Sequence, residues 1–334
     1  MKLFRSKILG TGHFVPEKVV TNHDLSLLMD TNDEWIRERT GIAERRVCDR
    51  AKNEYPYTMS AHAAREALKS ANLEPNDIDL IVFSITFPDM FFPSDASLLQ
   101  NELGITNMCP CVDISAACTG WIYGLTMVNA LIQTGVYKNV LLIGCEMTSG
   151  FNKWNDRNTG ILFGDGSGAT IIGRAEETDT SAIHQSILSN DSSKKNFLAM
   201  KTGGVNVPIS HEILDKGEAL MVSMNGPEVF KAAVKTMADL CQRVLVNTSW
   251  TSQDVSVFIP HQANLRIIEA TANRLEFPME KTLVNVHKYA NTSSASIPIA
   301  LNEAIKEGRI KRGDNLLMAA FGAGLTSGAV TLTY

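Results

Sequence analysis

Apolar positions along the chain fall into two patterns, which are short β-branched runs and longer stretches with helical spacing. The short runs predict strands over 78–85, 140–144, 169–172, 255–260, 315–320 and 328–333. The longer stretches predict helices over about 59–71, 118–134, 228–246, 264–275 and 296–307. Strands that alternate with crossover helices are typical of α/β proteins with largely buried sheets. The pattern therefore predicts an α/β fold.

The order of these segments repeats along the chain. Three pairs of positions recur in the same order, at offsets of 177, 173 and 160 residues: Asp77 with Asp254, Gly135 with Gly308, and Ser167 with Ser327. Offsets close to half the chain length indicate a duplicated unit. We therefore predict an N-terminal half over 1–174 and a C-terminal half over 175–334.

The repeat also makes a prediction about chemistry. Applying the 173-residue offset to the start of the apolar helix in the first half pairs Cys118 with Asn291. If the halves pack about a pseudo-twofold axis, these two residues become neighbours. His261 follows a predicted strand and can reach the same place.

Composition and charge restrict the classes of function. The chain has 334 residues and a formal net charge of −5, with no basic block suited to a nucleic acid. No apolar run approaches the roughly 18–20 residues that span a bilayer, and the N-terminus has no signal-like segment. We therefore predict a cytoplasmic protein without nucleic-acid or membrane partners. The six cysteines form no zinc-site pattern, so we predict no bound metal.

Cys118 is the candidate nucleophile among these cysteines. It follows a run of small residues and begins a long apolar helix, where the positive end of the macrodipole favours a thiolate. The alternative is a small hydrophobic residue packed in the core, which we expect for Cys109, Cys111, Cys145 and Cys241.

His261 and Asn291 have structural alternatives when each is considered alone. The histidine follows VSVFIP and the asparagine lies in a polar turn before a helix. Together with Cys118 they indicate a thiol nucleophile and two polar groups directed at one reacting centre. The residue types alone do not separate a hydrolase, in which histidine activates water, from a condensing enzyme, in which it stabilises an enolate.

Motifs along nearly the whole chain resemble the β-ketoacyl-acyl-carrier-protein synthase III family of the thiolase superfamily. The most specific are DEWIRERTGI (33–42), DISAACTGW (113–121), PHQANLRII (260–268) and YANTSSASIP (289–298). The resemblance implies duplicated thiolase-like halves in α-β-α-β-α layers. It also implies decarboxylative condensation of an acyl-CoA primer with malonyl-acyl carrier protein, without a cofactor.

The resemblance implies a role for each matching residue. Cys118 would carry the acyl group, His261 and Asn291 would polarise the malonyl thioester, and the N–H groups of Cys118 and Ala323 would form a second oxyanion hole. Further roles concern binding: Trp35, Arg39, Arg157, Phe230 and Asn264 for CoA and its pantetheine arm, Lys231, Gln262, Arg266 and Arg274 for the carrier protein, and Phe92 for the partner's primer pocket in a homodimer.

Several positions depart from the common pattern of the family. Alanine replaces the usual glycine at Ala290 and Ala323, Pro227 removes a backbone donor near the tunnel, and Asn273 makes the basic patch thinner. Three alternatives stay open: an acyltransferase or condensing enzyme of specialised metabolism, a regulatory redox thiol at Cys118, and a noncatalytic binding subunit.

Overall fold

The fold was analysed in a computed structural model that describes residues 3–215, 217, 219 and 221–334. The strands in this part of the chain are β1 (Arg5–Phe14), β2 (Val19–Thr21), β3 (Glu44–Arg46), β4 (Leu80–Ser84), β5 (Cys111–Ile114), β6 (Asn139–Glu146), β7 (Gly166–Ala175), β8 (Ala182–Asn190), β9 (Leu198–Met200), β10 (Val222–Met224), β11 (Val257–Pro260), β12 (Asn315–Gly322) and β13 (Thr326–Thr333).

The α-helices lie between these strands. They are α1 (Asn22–Ser26), α2 (Asp33–Thr40), α3 (Pro56–Ala71), α4 (Asp95–Glu102), α5 (Gly120–Gln133), α6 (His211–Asp215), α7 (Gly226–Thr248), α8 (Leu265–Arg274), α9 (Val286–Tyr289) and α10 (Ser296–Lys306). Every strand and helix range predicted from the pattern overlaps an observed element of the same type, so the predicted α/β fold is confirmed.

Two sheets and three layers of helices form the body of the protein. One sheet has the order β1-β7-β6-β4-β5 and the other has the order β11-β12-β13-β8. Helices α5 and α10 lie between the sheets, α3 and α4 pack on the outer face of the first sheet, and α7 and α8 pack beside the second. The layers therefore follow the predicted α-β-α-β-α order.

The two sheets repeat the same topology. In each, a parallel pair (β4 with β6, β11 with β12) is followed by two antiparallel neighbours. The edge next to the parallel pair is also similar in the two sheets. Ile81 of β4 pairs in parallel with Cys111 of β5, and Phe258 of β11 forms a parallel bridge with Thr282. This repeat supports a duplicated unit; the boundary between residues 174 and 175 stays a prediction.

The predicted equivalence of Cys118 and Asn291 is wrong by one helical turn. Helices α5 and α10 each follow a 3₁₀ turn, over Ala117–Thr119 and Ser293–Ala295, and this alignment makes Ser294 the counterpart of Cys118 at an offset of 176. The 173-residue offset at Gly135 and Gly308 arises because α10 is shorter than α5 by three residues.

The central helices bury side chains from both halves in one core. Trp121 of α5 and Leu301 of α10 are 1% and 0% exposed, and the same cluster contains Val82 and Val257 from the two sheets. Each such side chain contributes roughly 1.5–3 kcal/mol of hydrophobic stabilisation when fully buried. Because this core is shared, the two halves depend on each other for stability. Within the described chain, no helix is both long and apolar enough to cross a bilayer.

Candidate active site

A deep cavity of about 630 Å³ runs from the protein surface toward the central helices. Trp35 lies at its mouth, and Cys118, His261 and Asn291 line its inner end together with Phe321. Cys118 and Asn291, which are 173 positions apart in sequence, therefore face one space. No group of metal-ligating side chains was found among the described residues.

Cys118 occupies the 3₁₀ turn that precedes α5, after Ala117, which has a positive φ of 49°. A side chain at Gly322 would meet the backbone nitrogen of Cys118 at 2.9 Å, so glycine is needed there for the close approach of β12. The expected lowering of the thiol pKa is wrong: burial raises the pKa of Cys118 to about 11, although a hydrogen bond from Ser293 lowers it. Desolvation of the thiolate outweighs the local donors.

His261 lies just after β11, where its backbone N–H donates to the carbonyl of Ala319. Its Nδ1 lies 2.6 Å from Oγ of Ser296, and that oxygen also accepts the backbone N–H of Gln262 at 3.4 Å. When the Ser296 hydroxyl donates to Nδ1, the proton of the neutral ring is on Nε2. Burial lowers the pKa of His261 to about 4, so the ring is neutral at neutral pH.

Asn291 is held by its backbone and by its side chain. Its backbone N–H donates to the carbonyl of Leu162, and its carbonyl accepts from the N–H of Gly164. Its Oδ1 accepts the backbone N–H of Ser293 at 2.8 Å. Because the amide oxygen is engaged, the Nδ2 group is the donor that remains for a molecule in the cavity.

Three polar residues at this site were not predicted from the sequence. Ser296 orients His261, Ser293 contacts Cys118, and Glu146 lies behind Ser293 at the end of β6. The available signals were the SSAS run after Asn291 and a charged residue that ends the apolar run VLLIGCE. Neither signal is specific, since serine is common in turns.

Ala323 lies beside Cys118 in a second cavity. This smaller space, about 130 Å³, is bordered by Cys118, Ala323 and mostly apolar side chains, including Phe87 and Phe151. Ala323 begins the 3₁₀ turn that follows β12. The two residues whose backbone N–H groups are predicted to form an oxyanion hole thus border the same apolar cavity.

At the mouth of the deep cavity two cations lie close to an aromatic ring. The guanidinium carbons of Arg39 and Arg157 lie 4.6 and 5.0 Å from the Trp35 ring centroid. Arg157 is half-exposed, with Asp30 at 3.9 Å as a weak partner. This arrangement suits a flat, negatively charged group.

Phe230 and Asn264 line the same cavity. The Asn264 amide has partners within the protein, since it accepts from the N–H of Arg266 and donates to the carbonyl of Arg39. Pro227 lies in the first turn of α7, where a helix N–H has no intrahelical partner. Proline therefore removes no hydrogen bond of the helix at this position. Ala290 has a positive φ of 57°, a region that favours the glycine usual there.

The residues predicted to contact a carrier protein differ in their surroundings. Lys231 pairs with Glu228 at 3.1 Å and Arg274 pairs with Asp239 at 3.5 Å, whereas Arg266 lies over the Phe230 ring at the cavity mouth.

Gln262 differs from the other predicted carrier contacts because it is buried. It is 1% exposed, and its amide donates to the carbonyls of Pro260 and Leu283. The prediction that Gln262 contacts a carrier protein is wrong for this reason.

Phe92 is 85% exposed and adjoins Phe91, which is 92% exposed. Two neighbouring exposed phenylalanines are unusual on a protein surface, because their contact with water is unfavourable. Such apolar patches often mark contact sites with another molecule. The segment that carries them follows β4 and leads directly into α4.

The layered fold and a thiol at the end of a deep cavity define the class as acyl-transferring condensing enzymes with a thiolase-like fold. Family models described as 3-oxoacyl-[acyl-carrier-protein] synthase III and its C terminal match residues 112–192 and 245–334. A curated β-ketoacyl-[acyl-carrier-protein] synthase III of Caldanaerobacter subterraneus is 46% identical over 319 residues, which are 96% of this chain and 95% of that protein. The chain therefore belongs to the β-ketoacyl-acyl-carrier-protein synthase III family.

Solved structures agree with this assignment. The 3-oxoacyl-[acyl-carrier-protein] synthase III of Aquifex aeolicus has a TM-score of 0.90 and 45% identity, with 98% of this chain and 100% of that chain covered. The priming β-ketosynthase of the R1128 polyketide pathway has a TM-score of 0.91 and 30% identity, covering 99% and 97%. The resemblance of the motifs to the synthase III family and the thiolase-like fold are both confirmed.

Proposed function

We propose that this protein condenses an acyl-CoA primer with malonyl-acyl carrier protein to form 3-ketoacyl-acyl carrier protein, the initiating step of fatty-acid synthesis. The observation that carries the proposal is the cavity that a thiol (Cys118), a neutral imidazole (His261) and a side-chain amide (Asn291) line together. A hydrolase would need a histidine that accepts a proton, and a pKa of about 4 makes His261 a poor base.

In the first half-reaction the sulfur of Cys118 attacks the thioester carbonyl of the primer. Negative charge develops on that oxygen, and the backbone N–H groups of Cys118 and Ala323 stabilise it. CoA leaves as its thiolate, and the acyl group stays on Cys118. The apolar cavity beside the thiol, about 130 Å³, accommodates the acyl chain.

In the second half-reaction a malonyl thioester enters the same tunnel. Its carbonyl oxygen accepts from Nε2 of His261 and Nδ2 of Asn291, which stabilise the enolate that forms as CO₂ departs. The enolate carbon attacks the acyl-Cys118 carbonyl, a carbon–carbon bond forms, and the Cys118 thiolate is released. These steps use the two thioester substrates and no further cofactor.

The direct test supplies both substrates to the purified protein. We expect acyl-Cys118 by mass spectrometry with the primer alone, and 3-ketoacyl product with an equal amount of CO₂ when malonyl-acyl carrier protein is added. Formation of acyl-Cys118 without either product would contradict the proposal.

Arg39 provides a prediction about CoA binding. Arg39→Ala should raise the KM for acyl-CoA about 5-fold and leave kcat nearly unchanged, because a charge-assisted contact is worth about 1 kcal/mol at an exposed site. Initial rates with acyl-CoA and with an acyl-pantetheine thioester measure this effect.

The shorter thioester lacks the nucleotide, so its KM should not change in Arg39→Ala. Arg37→Ala is the matched control, since Arg37 lies on the same helix and pairs with Asp33 instead of lining the cavity. An equal increase in KM for both thioesters would contradict a nucleotide contact.

Arg266 provides a prediction about carrier binding. Among the described residues no carboxylate forms an ion pair with Arg266, whereas Arg274 is paired with Asp239. Arg266→Ala should raise the KM for malonyl-acyl carrier protein about 5-fold at low salt, and the difference should shrink at high salt through screening.

Arg274→Ala is the control on the same helix, and its effect should be smaller than that of Arg266→Ala. Malonyl-pantetheine, which lacks the carrier, should be used equally well by both variants. A KM for the carrier substrate that is unchanged in Arg266→Ala would contradict this part of the proposed surface.

The exposed pair Phe91 and Phe92 supports a homodimer in which Phe92 closes the partner's primer pocket. Burial of two such rings by a second copy would remove a large apolar area from water. Sedimentation of the wild-type protein should yield twice the mass of one chain. The cytoplasmic location stays a prediction from the sequence.

One alternative is favoured by a specific observation. The priming β-ketosynthase of a polyketide pathway matches this fold closely, so the same chemistry in specialised metabolism is a second candidate. A panel of primer-CoA thioesters distinguishes the two by the preferred acyl chain. A regulatory redox thiol is less well supported, because such cysteines have lowered pKa values whereas burial raises that of Cys118. Formation of product would exclude a noncatalytic subunit.

A further inference from the structure

Glu146 is a buried carboxylate beside the active site that the proposed reaction does not use. It ends β6 and is 0% exposed. Its Oε1 accepts the backbone N–H of Thr86 at 3.0 Å, and its Oε2 is buried without a hydrogen-bond partner. Within the described residues no lysine, arginine or histidine forms an ion pair with it. A buried charge without a cation is costly, so its presence at this place needs an explanation.

Ser293 connects this carboxylate to the nucleophile. Its Oγ lies 3.5 Å from Sγ of Cys118 and 3.3 Å from Oε1 of Glu146. The backbone N–H of Ser293 meanwhile donates to Oδ1 of Asn291, which keeps the residue in place. A hydroxyl can accept a proton from one neighbour while it donates its own proton to another. The three groups therefore form a continuous path from thiol to carboxylate.

We propose that Glu146 is the proton acceptor for Cys118, reached through the hydroxyl of Ser293. This inference rests on the proposed function, since it concerns the step in which the primer is loaded. The S–H proton passes to Oγ of Ser293 while the hydroxyl proton passes to Oε1 of Glu146. The thiolate attacks the primer thioester, CoA leaves as its thiolate, and that thiolate takes a proton from water.

The same path works in reverse during condensation. When the enolate attacks acyl-Cys118, the carbon–sulfur bond breaks and a thiolate is released. Glu146 returns its proton through Ser293 to Sγ, which restores the thiol and the carboxylate. Glu146 thus returns the proton that it accepted, and the proton that CoA takes from water is the one proton consumed per turnover, as the loss of the malonyl carboxylate as CO₂ requires.

The electrostatics of the site favour Glu146 over His261 as the acceptor. Burial raises the pKa of Glu146 to about 7 and lowers that of His261 to about 4, so near neutral pH the carboxylate is the stronger base. The other titratable groups near Glu146 are Cys118 and Cys145, both of which burial keeps as thiols, and Lys153 borders the same small cavity as Cys118.

The test is the rate at which iodoacetamide alkylates Cys118, followed by mass spectrometry from about pH 5.5 to about pH 9. In the wild type the rate should rise as Glu146 ionises, with an inflection near its pKa of about 7. Glu146→Gln removes the acceptor, so this inflection should disappear and the rate at about pH 8 should fall about 10²-fold.

Whether Glu146→Gln slows or speeds the alkylation of Cys118 distinguishes a proton relay from an effect of the nearby charge. If Glu146 acted only through its charge, Glu146→Gln would remove repulsion and make alkylation faster at alkaline pH. A faster or unchanged rate in Glu146→Gln would therefore overturn the proposal. Ser293→Ala should interrupt the path and resemble Glu146→Gln, and the double variant should be no slower than either single one.

Ser294→Ala is the matched control for fold and packing. Ser294 lies next to Ser293 in the same 3₁₀ turn and donates to backbone carbonyls of Ser84 and Cys145 rather than to the thiol. It should keep the wild-type pH profile, and circular dichroism should show that all variants fold. A profile in Ser294→Ala that matches Ser293→Ala would overturn the relay in favour of a structural effect of the turn.

Alkylation uses no CoA substrate, so the result is independent of the proposed function. Single-turnover acylation with acyl-CoA is measured in parallel and should be slowed in Glu146→Gln by a similar factor. Wild-type protein that shows the inflection but forms no acyl-Cys118 would contradict the proposed function and not the relay. If Glu146→Gln were acylated as fast as the wild type, the result would contradict the relay and not the proposed function.

Discussion

Cys118→Ala should lose condensation by more than about 10⁴-fold, the largest effect expected of any substitution in this protein. Without the sulfur no acyl-enzyme forms, and the enolate has no electrophile to attack. Slow release of CO₂ from malonyl-acyl carrier protein should continue, because the donors on His261 and Asn291 are unchanged. This variant should therefore release CO₂ slowly without forming the carbon–carbon bond.

The measurement follows CO₂ and 3-ketoacyl product in the same reaction. Cys111→Ala is the control, since Cys111 is also partly exposed but lies on β5 and does not line the deep cavity. It should retain wild-type rates of both products. Product formation by Cys118→Ala at a tenth of the wild-type rate would show that the acyl group is carried elsewhere.

His261→Ala has the second largest expected effect, on the other half-reaction. Removal of one donor from an oxyanion site costs about 10²–10³-fold in rate, so decarboxylation should fall by that factor. Acylation of Cys118 should stay within a few-fold of wild type, because its oxyanion hole is formed by backbone N–H groups. The variant should accumulate acyl-enzyme when both substrates are present.

The pH dependence provides a further check on the role of His261. Its folded-state pKa of about 4 lies below the usual value, so the neutral ring with Nε2–H persists down to about pH 5. Decarboxylation by the wild type should therefore show no loss near pH 6.5, where an exposed histidine would gain a proton.

Rapid-quench measurement of acyl-Cys118 and of CO₂ separates the two steps in His261→Ala. His184→Ala is the control, because His184 lies on β8, bonds Thr333 and does not line the cavity. Equal losses in acylation and decarboxylation would contradict the assignment of His261 to the malonyl thioester.

Much of the fold could be predicted because burial leaves a regular pattern in the sequence. The apolar strand β6 and the amphipathic helix α7 were both found, with ends that differ by one or two residues at most sites. Strand β1 was not among the predicted strands. Its glycines interrupt the apolar pattern, and a side chain at Gly10 would collide with the carbonyl oxygen of Ala67. That need for space arises from the packing of α3 and is invisible along the chain.

Cys118, His261 and Asn291 could be proposed from the sequence because each lies at the end of an element in a specific motif. The residues that support these three side chains could not be proposed from the sequence. Ser296 acts on His261 across 35 positions, and Ser293 joins Cys118 to Glu146 across 175 and 147 positions. The family resemblance predicts that Gln262 contacts a carrier protein, yet its amide donates to two buried carbonyls.

The pattern of apolar residues thus determines that two similar α/β units form, and the motifs determine which side chains end near the centre. The equivalence of Cys118 with Ser294, the raised pKa of the thiol and the path through Ser293 depend on how the units pack. The physical reason is that periodicity records only whether a position is buried. Register, desolvation and hydrogen-bond geometry arise between segments that are distant in the chain, so they exist only in the assembled fold.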